Sequence, residues 1–402
     1  MTVFARREAQ RWESNWGSNL GRFITVPRSK PPRIHSAYLG VIRVLLQMPQ
    51  LFFIGGTGHV GGAVLDRLVE LHPNVLVKVL VRTQGKASRL MSKYPKVQTV
   101  IGALDSFDEI ESSCRAADIV VNTAPDVTHE ASYQVILRGM KSRETKGYYI
   151  HTSGASLIWD EPKGSKDARV WDDIGDIGDL TSMDVTCTHS ATDKIVREAA
   201  QEINIAIISP GGVGGLSPSI EHPTPITTPG ILLTARAFNS GFQIDEGQNR
   251  HSWIHVLDIA EIYLKLIGHA LDGNATVEGL QLWGPEAYYF ATSEEISFAD
   301  FITGLVPVLH KHGVIQSTEI KPVSVIDAAR ASIWGKDYKP DAAPPPEDSW
   351  AMHISILYGI NMRIRGSRMF KLGWMAERGS VVDTFEDVIA AHLALEQNRG
   401  KE

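Results

Sequence analysis

A short run with no polar residue, Leu51 to Ile54, stops at GGTGHVGG (Gly55 to Gly62), and apolar residues then recur as Val60, Val64, Leu68 and Leu71. The run reads as a strand covered on both faces, and the spacing that follows reads as a helix. Val75 to Val81, after Pro73, supplies a β-branched second strand and completes a βαβ unit. In that context each glycine has a physical reason. Gly55 makes a tight turn, Gly58 lets a pyrophosphate approach the backbone, and Gly61 lets the helix pack closely on the strand. The helix start directs free N–H groups and a partial positive charge at the same anion. The segment therefore predicts a dinucleotide site in which Gly55, Thr57, Gly58, His59, Val60 and Gly61 surround the phosphates.

The alternation continues, with Val97 to Ile101, Ile119 to Val121, Tyr148 to Ile150 and Ile205 to Ile208 as further strands separated by helix-length segments. This predicts an α/β fold, a Rossmann-type doubly wound parallel sheet with a smaller C-terminal substrate lobe. The expected organisation is a Rossmann core over 48–210 and a substrate lobe over 211–402, from which residues about 251–268 return to the core. The Pro/Gly-rich stretch Pro210 to Gly230 opens the lobe and reads as irregular loop. Asp337 to Ser349, with three consecutive prolines at 344–346, reads as an exposed excursion without a function of its own. No internal repeat of solenoid period is present.

The first 47 residues carry eight Arg/Lys (Arg6, Arg7, Arg11, Arg22, Arg28, Lys30, Arg33 and Arg43) against Glu8 and Glu13, with no sustained apolar period. They read as a disordered or spurious extension ahead of Met48, with a transit peptide as the other reading. The whole chain holds 40 basic and 46 acidic residues, a net charge of −6, and no basic stripe of the kind that follows a phosphate backbone. Nucleic acid is therefore not an expected partner. The two cysteines, Cys114 and Cys187, are too few for a disulfide framework and lack metal-ligand spacing, which points to a reducing compartment, taken as the cytoplasm, and to no metal. The most apolar stretch, Ala37 to Ile54, is interrupted by Arg43, Gln47, Pro49 and Gln50, so no membrane span is expected. A homodimer is left open.

An NAD site usually ends its second strand in a carboxylate that grips the ribose hydroxyls, whereas this strand ends Leu80, Val81, Arg82, Thr83. A guanidinium there matches a 2′-phosphate, with Lys86 or Arg89 in support. The expected cofactor is NADP(H).

These features resemble the extended and atypical short-chain dehydrogenase/reductase superfamily of fungal type, near its NmrA-like and epimerase/dehydratase-like branches. The GxxGxxG spacing of Gly55, Gly58 and Gly61 is similar to its extended branch. So are Asn122, Thr123 and Ala124 after the fourth strand, HTSGAS (His151 to Ser156) after the fifth, and SPGGVGG (Ser209 to Gly215) after the sixth. WIHVLDIAEIYLKLI (Trp253 to Ile267) and LGWMAERGSVVDTFEDVI (Leu372 to Ile389) resemble its later elements, so the resemblance covers nearly everything after Met48. It implies that Leu104 contacts adenine, that Asn122, Thr123 and Ala124 line the nicotinamide ribose, and that Gly211, Gly212 and Val213 touch the nicotinamide.

The resemblance also implies a catalytic Ser or Thr after the fifth strand, with Tyr and Lys spaced YxxxK on the next helix. Ser153 and Lys194 match this pattern, but Ser190, in HSATDK, stands at the tyrosine position. A serine hydroxyl exchanges protons poorly without a neighbouring base, so standard chemistry does not carry over. Lys194 is expected to face the nicotinamide ribose, with Ser190 as a wall of the same cleft one turn earlier. Adjacent His189 is a substitute proton donor only if the helix turns it inward, since neighbours point about 100° apart. His251 and His255 are left out of the site. Epimerisation, which relies on the tyrosine, is disfavoured.

The expected function is NADP(H)-dependent hydride transfer to a carbonyl or activated double bond of a small-molecule substrate, with a role in secondary metabolism implied by the resemblance alone. The other reading is a non-catalytic NADP(H)-binding sensor similar to the NmrA-like regulators.

Overall fold

The computed structural model describes residues 48–124 and 127–399; the basic N-terminal stretch lies outside the described residues. The glycine turn sits between β1 (Gln50–Ile54) and α1 (His59–Leu71), and the chain continues through β2 (Leu76–Val81), α2 (Gln84–Lys93), β3 (Gln98–Ile101), α3 (Phe107–Ala116), β4 (Ile119–Asn122), α4 (Glu130–Lys141) and β5 (Tyr148–Thr152). After a long connection come α5 (Ser190–Glu198) and β6 (Asn204–Pro210). All strands inferred from the sequence up to this point are present.

Beyond β6 the chain forms β7 (Gly212–Gly214), α6 (Thr228–Phe238), β8 (Gly241–Ile244), β9 (Arg250–His255), α7 (Val256–Leu271), β10 (Tyr288–Ala291), β11 (Glu294–Ser297) and α8 (Phe298–Lys311). It then adds β12 (Ile320–Val323), α9 (Val325–Trp334), α10 (Trp350–Leu357) and α11 (Phe385–Arg399).

β1 lies inside the large sheet because its side chains alternate between two dry faces. Leu51 and Phe53 join the apolar cluster under α1, while Phe52 and Ile54 join the cluster under α3 and α4. Replacing either phenylalanine by alanine would cost about 3–5 kcal/mol. The sheet has seven strands, all parallel, in the order β10-β6-β5-β4-β1-β2-β3. The chain reverses its direction of travel across the sheet between β1 and β4, which opens the crevice at the strand ends where ligands of this fold class bind.

In the later part of the chain β9 joins β7 in parallel and β11 antiparallel, and β8 pairs with β12. A separate apolar cluster built on Phe242, Trp253, Phe298, Phe301 and Phe385 holds this part together. α7 instead packs with α1 on one face of the large sheet through Ile259, Ile262, Tyr263 and Leu266.

Two features differ from the sequence expectation. The stretch expected to be irregular contains a strand, β7, because the bare Gly212 backbone passes under the Trp253 ring: a Cβ there would lie 2.5 Å from it. The sheet also gains β10, whose Tyr288–Ala291 all point into dry surroundings and show no alternation to reveal them. No helix among the described residues is long and apolar enough to cross a membrane.

Candidate functional site

Gly55 adopts φ +85°, a conformation that side chains rarely take, and a Cβ on it would meet Ala124 N and Thr123 Oγ1 at 2.8 Å. A Cβ on Gly61 would lie 2.1 Å from Gly55 O and 2.4 Å from Thr123 Oγ1, so α1 rests directly on the turn. Gly58 caps α1 without a side-chain partner, and the first turn of the helix holds no acid. The helix start thus presents free N–H groups and no competing carboxylate.

Two cavities meet at this turn. The smaller, about 320 Å³, is lined by Gly55, Thr57, Leu80, Arg82, Lys86 and Leu104 among others. The larger, about 540 Å³, is lined by His59, Val60, Ser153, Gly211, Gly212 and Val213 among others. Gly58, Thr123, Ala124 and His222 line both. Asn122 lies beneath the junction, fully buried, where its carbonyl accepts from Ala124 N at 3.0 Å and its amide donates to Tyr149 OH at 3.4 Å. A dinucleotide fits this arrangement: a cradle closed to side chains, an uncapped helix start, and a cavity on either side.

Arg82 is exposed at the rim of the smaller cavity and has no ion-pair partner among the described residues. Its expected helpers are engaged. Glu221 reaches across to Lys86 at 3.3 Å and Arg89 at 2.6 Å, and although burial raises its carboxyl, these two cations outweigh that and hold it below the usual range. Glu221 belongs to a strap, residues 217–222, tied over the glycine turn. Ser217 Oγ donates to His59 O at 2.6 Å and Ser219 Oγ to Thr57 O at 2.8 Å. His59 is neutral at ordinary pH, its imidazole lowered to about 4 chiefly by burial.

The larger cavity has an aromatic wall. His353 is flanked by Trp159 at 4.7 Å and by Trp350, stacked at 5.5 Å between centroids. Ile226, Ile354, Leu357 and Met362 add apolar surface, and Trp253 and His251 close the inner side. Burial lowers the imidazoles of His353 and His251, so this wall carries no cation.

The three residues carried over as catalytic are not brought together. Ser153 lines the larger cavity, at the end of β5. Ser190 is buried but outside both cavities, donating to Met183 O at 3.1 Å. Lys194 is exposed and lines neither cavity. The expectation that it faces the nicotinamide ribose is corrected, and the cause is the rotation of α5. Val196, Ala199 and Ala200 fix the inner side of this segment in the apolar cluster, which turns Asp193 inward and Lys194 out. Asp193 is 1% exposed and accepts from Ser153 Oγ at 2.6 Å and Tyr288 OH at 3.1 Å. His189, just before α5, has φ 70°, and burial lowers its imidazole to about 4 although Asp193 opposes this.

The sequence reading missed Asp193, Tyr288, the strap and the aromatic wall. Only Asp193 had a local signal, because placing Val196 and Ala199 inside a helix places position 193 inside as well.

Residues 55–214 match the model of a family described as NAD(P)H-binding. The chain is 25% identical over 360 residues to an oxidase, ucsJ, of Acremonium sp., covering 85% of this chain and 96% of that one. Among solved structures, the PbgP3 protein of Burkholderia pseudomallei is similar with a TM-score of 0.59 at 12% identity, over 86% of this chain and 96% of that one. The Bordetella bronchiseptica enzyme WbmH, solved in complex with NAD+, gives a TM-score of 0.55 at 12% identity, over 86% and 98%. The resemblance drawn from the motifs thus holds for an NAD(P)H-binding domain over residues 55–214 and for the Rossmann-type fold, which these solved structures share.

Proposed function

We propose that this chain, whose residues 55–214 match an NAD(P)H-binding family, is an NADP(H)-dependent oxidoreductase acting on an apolar, aromatic or polycyclic molecule that bears a carbonyl, an enone or the corresponding alcohol. The observation that carries this reading is the junction of the two cavities at Gly58, Thr123, Ala124 and His222, with Ser153 on the far side. Gly55, Thr57, Gly58, His59, Val60 and Gly61 would hold the phosphates, and Leu104 the adenine. Thr123, Ala124, Gly211, Gly212 and Val213 would bracket the nicotinamide and its ribose, with Asn122 beneath them holding Ala124 N. The bound nicotinamide would exchange a hydride with the substrate carbon. Trp159, His353 and Trp350 offer flat, uncharged surface on which an aromatic substrate stacks. Gly212 and Val213, joined to β9, form the inner wall beside the substrate space.

The NADP(H) preference rests on Arg82, which has no ion-pair partner among the described residues and lines the cavity where a 2′-phosphate would lie. Losing that contact costs on the order of 1.5–3 kcal/mol, so Arg82→Asp should weaken NADPH roughly tenfold or more and leave NADH little changed. Calorimetric titration with both nucleotides reads this directly. Equal affinities in the wild type would withdraw the NADP(H) assignment. Turnover is sought by NADPH oxidation against aromatic ketones, quinones and enones, and by the reverse reaction with the alcohols. If no compound is turned over and NADPH binding instead alters association with a partner protein, the sensor reading replaces the enzyme.

A further inference from the structure

Alternation along β5 puts Tyr149, His151 and Ser153 on one side of the sheet, the side covered by α5. All three are buried, and Asp193 comes down on them from α5. Ser153 is held by its backbone N–H, which donates to Ile208 O at 2.8 Å, and its hydroxyl donates to Asp193 Oδ2 at 2.6 Å. The other carboxyl oxygen, Oδ1, lies 3.4 Å from His151 Nε2, and each of these two atoms is enclosed with no hydrogen-bond partner. They face each other just short of hydrogen-bond geometry. On its far side His151 Nδ1 is 3.3 Å from Tyr149 OH, which Asn122 reaches at 3.4 Å.

Burying a carboxylate costs several kcal/mol unless a counter-charge and donors offset it. Asp193 has two hydroxyl donors, from Ser153 and Tyr288, and no Lys or Arg within ion-pair distance among the described residues. Lys194, the adjacent cation, is turned to solvent. The remaining ionisable groups that face the carboxyl are His151 and Tyr149 from β5, Tyr288 from β10, and His189 at the start of its own helix. Of these only His151 sets a proton-binding nitrogen against the free carboxyl oxygen. A buried acid in this position makes an expensive filler, since an apolar side chain would close the same space at lower cost. It becomes useful if Ser153, the member that lines the cavity, must exchange a proton.

We propose that Ser153 and Asp193, with His151 positioning the carboxyl, form a proton relay that does the acid and base work of this site, where the related YxxxK pair is absent. This rests on the oxidoreductase reading above. In the oxidative direction the substrate O–H gives its proton to Ser153 Oγ. The Ser153 proton moves at the same time to Asp193 Oδ2, and the substrate carbon loses a hydride to the oxidised nicotinamide nucleotide. One O–H and one C–H bond of the substrate break, and its C–O bond becomes a double bond. In the reductive direction Asp193, as the acid, returns the proton through Ser153 to the substrate oxygen. His151 does not touch the substrate. It is a positioning residue, whose Nε2 stands 3.4 Å from Oδ1 and fixes the carboxyl.

The test compares wild type, Asp193→Asn and Ser153→Ala, once a turned-over compound is in hand. Asparagine keeps an acceptor for Ser153 and can donate to His151, but cannot take the proton. Both variants should lose about 10²- to 10⁴-fold in kcat, with NADPH Kd within about twofold of the wild type. The ionisation limb in the wild-type pH profile should vanish in Asp193→Asn. A readout independent of turnover is the nitrogen-15 NMR spectrum of the His151 ring in the nucleotide-free protein, whose Nε2 resonance should shift in Asp193→Asn and stay unchanged in Lys194→Ala. Variants that keep wild-type kcat and pH profile overturn the relay and leave the oxidoreductase reading intact. A wild type inert toward every compound brings down that reading, and the relay with it. If Asp193→Asn does not fold, Ser153→Ala, which loses one surface atom of the cavity, still decides.

Discussion

Gly61→Ala sets two opposing effects against each other. In a helix interior alanine is favoured over glycine by about 0.8–1 kcal/mol. At position 61, however, the new methyl would lie 2.1 Å from Gly55 O and 2.4 Å from Thr123 Oγ1. Ordinary contact demands a retreat of about 1 Å or more, and the space beside Gly55 is already filled by Ala124 and Thr123. The helix must move instead, at a cost of about 1–3 kcal/mol for overpacking. The clash offsets the propensity, so a net loss of up to about 2 kcal/mol and a melting temperature lower by up to a few degrees are expected. Displacing α1 also moves the N–H groups that would hold the phosphates, so NADPH affinity should fall by roughly tenfold or more. The matched control is Gly268→Ala in α7, where nothing lies within 4 Å of the added methyl. It should melt at or above the wild type and bind normally. Calorimetry on the three proteins reads both quantities. If Gly61→Ala melts and binds like Gly268→Ala, the close seating of α1 on the turn is wrong.

Glu221→Gln should release Lys86 and Arg89 for a 2′-phosphate and strengthen NADPH binding several-fold, by about 1 kcal/mol, with NADH unaffected; equal shifts for both nucleotides would show that the strap acts on the shared part of the cofactor. Lys194→Ala should change kcat and NADPH affinity little and stability by less than about 0.5 kcal/mol, because the side chain is exposed outside both cavities; a large loss of turnover would restore it to the site. The imidazoles of His59, His189 and His251 are each lowered to about 4 from an ordinary 6.5, mainly by burial. The unfolded chain therefore binds more protons between those values, and stability should be full above pH 6.5 and fall as pH drops toward 4. Melting temperature against pH checks this, and a flat profile from pH 7 to 5 would contradict it.

The large sheet was legible because its signals are local. Leu51–Ile54 can be apolar throughout only if both faces are covered, and the glycines that follow leave one connection that makes sense of them. Tyr288–Ala291 was not legible, although it is as dry as β1. Its run is short and uniform, nothing flanks it that requires a strand, and its partner β6 lies some eighty residues earlier in the chain. The aromatic lining was hidden for the same reason, since Trp159, Trp253 and Trp350 come to line one cavity only after three separate segments fold together.

The misplacement of Lys194 has another origin, because its helix was foreseen and only its rotation was not. A spacing of four identifies residues on one helix face but does not say which face is inside. Matching Ser190 and Lys194 to a tyrosine and a lysine assumed an inward face. The apolar residues Val196, Ala199 and Ala200 determine it instead, because leaving them in water costs about 0.8 kcal/mol for each CH₂ group, whereas an exposed lysine costs almost nothing. One residue of register is about 100° of helix, enough to exchange a cation for an acid at the inner position. The exchange changes what the site needs. A lysine beside a tyrosine eases proton loss from a phenol by its positive charge, whereas Asp193 beside Ser153 takes the proton itself. That acid has to be supported from behind by polar groups. Tyr288 and His151 stand there, one on β10 and one on β5, and the strand that the sequence concealed thus supplies a donor to the acid that the motif misplaced.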